Sequence, residues 1–253
     1  MTGPSVPSVP SVPSVPSAPS APSDLELDPS VPLPPYELRM GGRHFKKDAD
    51  FVAAGVRDVK VLRQRAGLGR RKRVLDWGCG AGRLAIGIKH LLGHVEDYHG
   101  VDVQPDLLYW ARDHLADAHT RFTLVDQRNA RYNPDGDETY AIPADPGSVD
   151  VLYSYSVFSH MLSPDVAGYS RTIAEVLAPE GRALMTAFVE EDVPDCVENP
   201  ADYRQLAWKG ALHCVRFNRR FFEQTAYEAG LAVEEFVYGR ETDGQSMYVF
   251  RRR

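Results

Sequence analysis

The chain predicts an α/β fold: a doubly wound, mostly parallel sheet of seven strands flanked by helices. Three observations lead there. Strand-like apolar runs alternate with helix-like periods from residue 74 onward, the pattern of βαβ units. The first strand runs straight into a turn with glycine at every second place, Gly78, Gly80 and Gly82, and then into a helix. The last two strand-like segments lie too close for a helical crossover, so one of them runs antiparallel as a terminal hairpin.

The elements follow in order. Residues 44 to 66 place Phe51, Val52, Val56, Val59 and Leu62 at amphipathic helical spacing, and Gly67 and Gly69 end that helix. Val74 to Asp76 is the first strand, and Arg83 to Leu92 is a helix stopped by Gly93. Tyr98 to Val103 is the second strand, followed by a helix from Pro105, a residue suited to a first turn. Arg121 to Val125 is the third strand. A long polar loop follows, with turn signals at Asn133-Pro134-Asp135-Gly136 and Asp145-Pro146-Gly147. Asp150 to Tyr153 is the fourth strand, with Asp150 in a structural role at its start. A helix from about 165 to 177 leads to a sharp turn at Pro179-Glu180-Gly181. Ala183 to Phe188 is the fifth strand, and an irregular stretch from 189 to 216 precedes a helix from Asn218 to Ala229. Leu231 to Tyr238 and Ser246 to Arg251 form the closing hairpin.

Residues 1–35 stand apart. Ser-Val-Pro and Ser-Ala-Pro triplets put proline at every third place, which removes backbone donors and favours an extended path. With no aromatic residue before Tyr36, this segment cannot offset its ordering entropy and reads as a disordered tail. It lacks the basic start and apolar core of a secretory signal. Residues 36–69 read as a helical lead-in and 70–253 as one ligand-binding domain. No run approaches the ~20 apolar residues of a membrane-spanning helix. A formal net charge of -6 offers nucleic acid no general attraction, and Arg70-Arg71-Lys72-Arg73 is a local, solvated lead-in to the first strand. The three cysteines, Cys79, Cys196 and Cys214, form no CxxC pair, consistent with a reduced, cytoplasmic protein.

The chemistry gathers at the strand ends, where an open α/β sheet places its ligand crevice. Asp76 closes the first strand two residues before Gly78. A pyrophosphate at that turn would be repelled by the carboxylate, whereas a cationic amino group would be attracted. Asp102 closes the second strand 20 residues beyond Gly82, the distance that suits a carboxylate on ribose hydroxyls; it also suits a cap for the helix from Pro105. Asp126, with Gln127, suits an adenine amino group and ring nitrogen, although an acid after a strand often only caps a turn. Ser154 closes the fourth strand. Together these residues describe an adenosine with a methionine-like tail.

On these residues the sequence resembles the class I S-adenosylmethionine-dependent methyltransferases. The resemblance is carried in order by Val-Leu-Asp-Trp-Gly-Cys-Gly-Ala-Gly-Arg (74–83), His-Gly-Val-Asp-Val (99–103), Val-Asp-Gln-Arg-Asn (125–129), the segment from Ser148 to Met161, and Val-Leu-Ala-Pro-Glu-Gly-Arg-Ala-Leu-Met-Thr (176–186). It implies a Rossmann-like sheet of order 3-2-1-4-5-7-6 with the last strand antiparallel, and S-adenosylmethionine as the cofactor. It implies that Asp76 and the glycine turn, with Gly78, Cys79, Gly80 and Gly82, hold the methionine end. Asp102 would hold the ribose and Asp126 with Gln127 the adenine, with Val103 and Ser154 also among the cofactor-binding residues.

Methyl transfer asks an enzyme chiefly for proximity and alignment, with a general base where the acceptor is a hydroxyl or amine. His160, a short loop beyond the fourth strand, is the candidate base; equally, it packs or caps the next helix. Ser154-Tyr155-Ser156-Val157 replaces the Asn/Asp-Pro-Pro-Tyr/Phe of amino-directed relatives, and no histidine and acid cluster has metal-ligand spacing. The expectation is therefore methyl transfer to a small-molecule acceptor, at oxygen before nitrogen, without metal, nucleic acid or membrane. The acceptor pocket is expected from 127–147 and 189–216, where Tyr203, Trp208 and His213 line the ligand or form a local core. Two rivals remain. One is a non-catalytic cofactor-binding module. The other is a nicotinamide-dependent oxidoreductase, which predicts Gly-x-Gly-x-x-Gly and no acid at Asp76.

Overall fold

A computed structural model describes residues 28–201 and 203–253. Its centre is a sheet whose strands are β1 (Arg73–Trp77), β2 (Asp97–Asp102), β3 (Thr120–Leu124), β4 (Val149–Ser154), β5 (Leu177–Glu190), β8 (Leu231–Val237) and β9 (Ser246–Arg252). They pair in the order β3-β2-β1-β4-β5-β9-β8, parallel from β3 through β5, with β9 antiparallel to both β5 and β8. This is the expected seven-stranded order with its antiparallel closing strand. Two short strands were not foreseen. β6 (Cys196–Glu198) and β7 (Val215–Asn218) form a hairpin, and β7 extends the carboxyl end of β5 in parallel.

Helices cover both faces. α1 (Asp48–Arg65), α2 (Arg83–Leu92) and α3 (Pro105–Leu115) share one apolar cluster with Val74, Val151 and Leu184; α4 (Ser163–Val176) and α5 (Arg219–Glu228) share the other with Leu75, Leu152 and Met185. Adjacent residues of one strand thus feed opposite layers, as pleating requires. α1 and α2 touch through bare backbone. A methyl added at Gly87 would sit 2.2 Å from the Gly55 carbonyl oxygen, and one at Gly55 would sit 2.4 Å from that of Arg83. This close approach lets Asp58 on α1, 2 % exposed, take the Arg83 guanidinium at 3.0 Å.

Two expectations change. The sharp turn at Pro179-Glu180-Gly181 does not separate helix from strand. β5 already starts at Leu177, and the three residues swell out as a bulge, since Val149 pairs with Leu177 but Val151 pairs with Arg182. Of the tail expected over 1–35, residues 1–27 lie outside the described residues, while 28–35 pack on the domain. Pro34 is buried, Val31 and Leu33 lean on the α1 cluster, and the Pro34 carbonyl accepts from Arg39 Nε at 2.8 Å. Arg39 itself is 5 % exposed, pairs with Asp48 at 2.6 Å and lies over the Phe51 ring. Among the described residues no helix is long and apolar enough to cross a membrane.

Candidate functional site

At the carboxyl edge of the sheet the strand ends and their loops enclose a cavity of about 640 Å³, within the ~300–1,000 Å³ typical of small-molecule sites. The glycine turn forms its floor. Gly78, Gly80 and Gly82 all have positive φ, at 81°, 53° and 80°, a region that favours glycine. Their surroundings differ in a telling way. Side chains at Gly78 and Gly82 would strike Val157 at 2.3 Å and Leu115 at 2.5 Å, whereas one at Gly80 would meet nothing within 4 Å. Gly78 and Gly82 are thus packed beneath the turn, and Gly80 presents bare backbone to the cavity.

The turn is not a phosphate nest. Gly78 and Cys79 give their N–H groups to the Val101 carbonyl at 2.8 and 3.1 Å, Gly82 to Cys79 at 3.0 Å, and Gly80 to Asp102 Oδ2 at 2.8 Å. Amides that would cradle a pyrophosphate are already bonded within the protein.

Asp76 ends in the cavity wall, 3 % exposed, and accepts from the Tyr98 hydroxyl at 2.5 Å. Burial lifts its carboxyl to about 7, against the opposing pull of that hydrogen bond and of Arg83. A site that makes a carboxylate costly is a site in which a bound cation is well received. Asp102, 7 % exposed, also lines the cavity; it accepts from Gly80 and, at 2.9 Å, from the Gln104 N–H. Burial raises its carboxyl above the usual range while these backbone donors hold it down. Cys79, Val103 and Gln127 stand in the wall as well. Gln127 is held in place by its amide, which accepts from Tyr169 at 2.9 Å and donates to Ala141.

Two expected contacts lie apart from the cavity's lining. Asp126 lies exposed outside the wall, where its carboxylate accepts from Asn133 at 2.9 Å and its carbonyl from Asp137 at 2.7 Å, contacts that tie it to the 127–137 loop. Ser154 is fully buried in β4 beneath the wall. Its neighbours Tyr153 and Tyr155 reach the cavity, so strand alternation sends Ser154 to the other face.

His160 does line the cavity. Its Nδ1 lies 2.8 Å from the Leu212 carbonyl, which only accepts, so the neutral ring carries its proton there and leaves Nε2 as the accepting nitrogen. Desolvation lowers the ring to about 4 and keeps it neutral. His213 is the mirror case: its Nδ1 accepts from the Lys209 N–H at 2.9 Å, which puts the proton on Nε2. Trp208 joins them in the wall, while Tyr203 stays behind it against Phe188, its ring centroids 5.7 Å apart. Among the described residues no group of His, Cys, Asp or Glu is placed to hold a metal ion.

Residues 74–181 match the model of a family described as a methyltransferase domain. Over these residues the chain is similar to methyltransferase domains. Solved structures share its fold at low identity. The [4+2]-cyclase SpnF is 16 % identical over 85 % of each chain, with a TM-score of 0.60. Geranyl diphosphate C-methyltransferase from Streptomyces coelicolor A3(2) is 14 % identical over 78 % of each, at 0.58. The mitomycin 7-O-methyltransferase MmcR is 17 % identical over 79 % of this chain and 55 % of that one, at 0.55.

The cavity also has walls that no motif singled out. Leu38, Met40, Phe45 and Phe51 roof the cavity from the N-terminal side. Arg131 and Tyr132 enter from the β3–β4 loop, within the 127–147 stretch named above as a source of the pocket, and Gln245 enters from the β8–β9 loop, which was not. Arg83 stands between the rings of Phe45 and Tyr155, 5.0 Å from each centroid. Of the four N-terminal residues only Phe51 carried a signal, as part of an apolar helical stripe; nothing in that stripe distinguishes a cavity wall from a core face.

Proposed function

We propose that this methyltransferase transfers a methyl group from S-adenosylmethionine to the oxygen of a small-molecule acceptor, with His160 taking the acceptor's proton. The observation that carries the reading is the pairing of Asp76 and Asp102 on either side of a glycine turn whose amides are already bonded. Such a site suits a ligand with a cationic end and a diol. It does not suit one with a pyrophosphate. Bound there, the cofactor would supply an electrophilic methyl on a sulfonium. Asp76 would hold the ammonium of the methionine end, the bare backbone at Gly80 would admit the chain, and Asp102 would accept from the ribose hydroxyls.

Acceptor chemistry falls to the opposite wall. Trp208, Tyr132, Phe45 and Met40 give it a largely apolar surface, which favours a compact organic acceptor over a polymer. His160 stays neutral near pH 7, so its Nε2 is free to accept a proton or to orient a hydroxyl. Two of the structures with this fold bear the names of small-molecule methyltransferases, which supports the acceptor class; the third, a cyclase, shows that fold alone does not decide the reaction. The test is a survey of hydroxylated and amino-bearing small molecules with methyl-labelled cofactor. Label on oxygen of a small product, reduced in His160→Ala with cofactor affinity unchanged, supports the reading. Label on nitrogen, or none with a cofactor-loaded protein, contradicts it.

A further inference from the structure

The turn that holds His160 is strained. Among the described residues six other than glycine have positive φ: Ser156, Asp192, Asn199, Arg204, Leu212 and Asp243. Asparagine and aspartate tolerate that region through their short polar side chains, whereas a bulky aliphatic residue rarely enters it. Leu212 sits there at φ 48°, its side chain buried in the apolar cluster shared with α4 and α5. Its backbone holds side chains from two other segments. The Leu212 N–H donates to Glu198 Oε1 at 2.7 Å, and the Leu212 carbonyl accepts from His160 Nδ1 at 2.8 Å.

Glu198 closes β6, and its neighbour Asn199 brackets the same turn. Asn199 donates its backbone N–H to the Cys214 carbonyl at 2.6 Å and its Nδ2 to the Gly210 carbonyl at 2.8 Å, and its Oδ1 accepts from the Cys214 N–H at 3.0 Å. The chain is thus pinned on both sides of Leu212. The His160 backbone is held separately, its carbonyl accepting from Asn129 at 2.9 Å and its N–H donating to the Val157 carbonyl at 3.0 Å. That leaves the rotation of the imidazole and the nitrogen that carries its proton. A carbonyl only accepts, so Leu212 draws the proton of the neutral ring to Nδ1 and leaves the lone pair on Nε2. A smaller contact from the His213 backbone acts on the ring in the same sense, and it belongs to the same turn.

We propose that Leu212 and Glu198 are positioning residues for His160: the left-handed backbone at Leu212, braced by Glu198, aims the Leu212 carbonyl at Nδ1 and fixes the ring in the tautomer whose lone pair is on Nε2. This rests on the reading of His160 as the proton acceptor and adds how that base is kept in its competent form. Neither residue lines the cavity, so both act through His160. The role of Leu212 lies in its backbone conformation, which separates it from an ordinary core leucine. Strain held next to the group that does the chemistry is the use such a conformation has at functional sites.

The experiment uses the full chain, labelled with nitrogen-15 on histidine and saturated with S-adenosylhomocysteine. Two-bond proton–nitrogen correlation spectra at pH 7 report which nitrogen of each neutral imidazole carries the proton, and His160→Gln assigns the signal among the eight histidines. In the wild type His160 is expected to favour the Nδ1 proton by at least about ten-fold, the bias of one buried hydrogen bond. Leu212→Gly keeps the left-handed backbone, deletes the side chain and retains that ratio. Leu212→Val keeps an apolar side chain, disfavours the backbone and lowers the ratio at least about three-fold. Glu198→Ala lowers it as well, and Glu198→Gln, which keeps an accepting oxygen, restores it; this pair carries the test where a Leu212 variant fails to fold. A wild-type proton on Nε2, a ratio in Leu212→Gly that falls as far as in Leu212→Val, or a folded Glu198→Ala with the wild-type ratio overturns the proposal. Failure of S-adenosylhomocysteine to bind overturns the cofactor reading instead, and undiminished turnover in His160→Ala overturns the base.

Discussion

Asp76→Asn should make the empty protein more stable in mild alkali while removing its ability to hold a cationic ligand. In the fold the Asp76 carboxyl titrates at about 7, from 3.8 in an unstructured chain. The native state therefore binds that proton more tightly than the unfolded state. The stabilisation is complete below pH 4 and is lost as pH rises through 7. Three units correspond to roughly 4 kcal/mol in the limit, and between pH 5 and 8 the loss works out at about 2–3 kcal/mol. Asparagine keeps the shape and an oxygen for the Tyr98 hydroxyl but has no proton to lose. Urea unfolding of both proteins at pH 5 and 8 isolates the effect, because every other titrating group is shared. The stability of Asp76→Asn relative to the wild type should rise by about 2–3 kcal/mol over that interval. A difference that does not change with pH would refute the claim that the carboxylate is held at a cost.

Further outcomes follow from the same geometry. Gly87→Ala should destabilise by about 1–3 kcal/mol in thermal or urea unfolding, although alanine is the better helix former, because its methyl would sit 2.2 Å from the Gly55 carbonyl. Gly80→Ala should cost only about 1 kcal/mol of stability, the strain of a positive φ, yet weaken cofactor binding much more, since its methyl would project into the cavity. His160→Ala should lower turnover with little change in cofactor affinity. In the wild type, turnover should fall below about pH 4, as the ring that stays neutral above that value gains its proton.

What the sequence made legible was local. The strand, the alternating glycines and the acids at the ends of β1 and β2 lie within a few residues of one another or at one βαβ spacing, and backbone geometry carries them to the same edge. Asp126 and Ser154 lie off the cavity's lining because position at a strand end does not set direction. Ser154 is turned inward by alternation with Tyr153 and Tyr155, and Asp126 is drawn off by Asn133. The acceptor wall was harder still. Arg131, His160 and Leu212 meet through hydrogen bonds between segments far apart in sequence, and no periodicity announces such a meeting. The boundary of the tail was misjudged for a different reason. The Ser-Val-Pro register already breaks at Asp24-Leu25-Glu26-Leu27, ahead of the packed Pro34, and that change in composition was the available signal.

The central claim is that the cavity holds an adenosine with a cationic methionine tail between Asp76 and Asp102. Titration calorimetry with S-adenosylhomocysteine tests it most directly. One site per chain is predicted, weakened by about 1–3 kcal/mol in Asp102→Ala as the ribose hydrogen bonds are lost. Absence of binding by protein shown to be folded, or an affinity unchanged in Asp102→Ala, would contradict it.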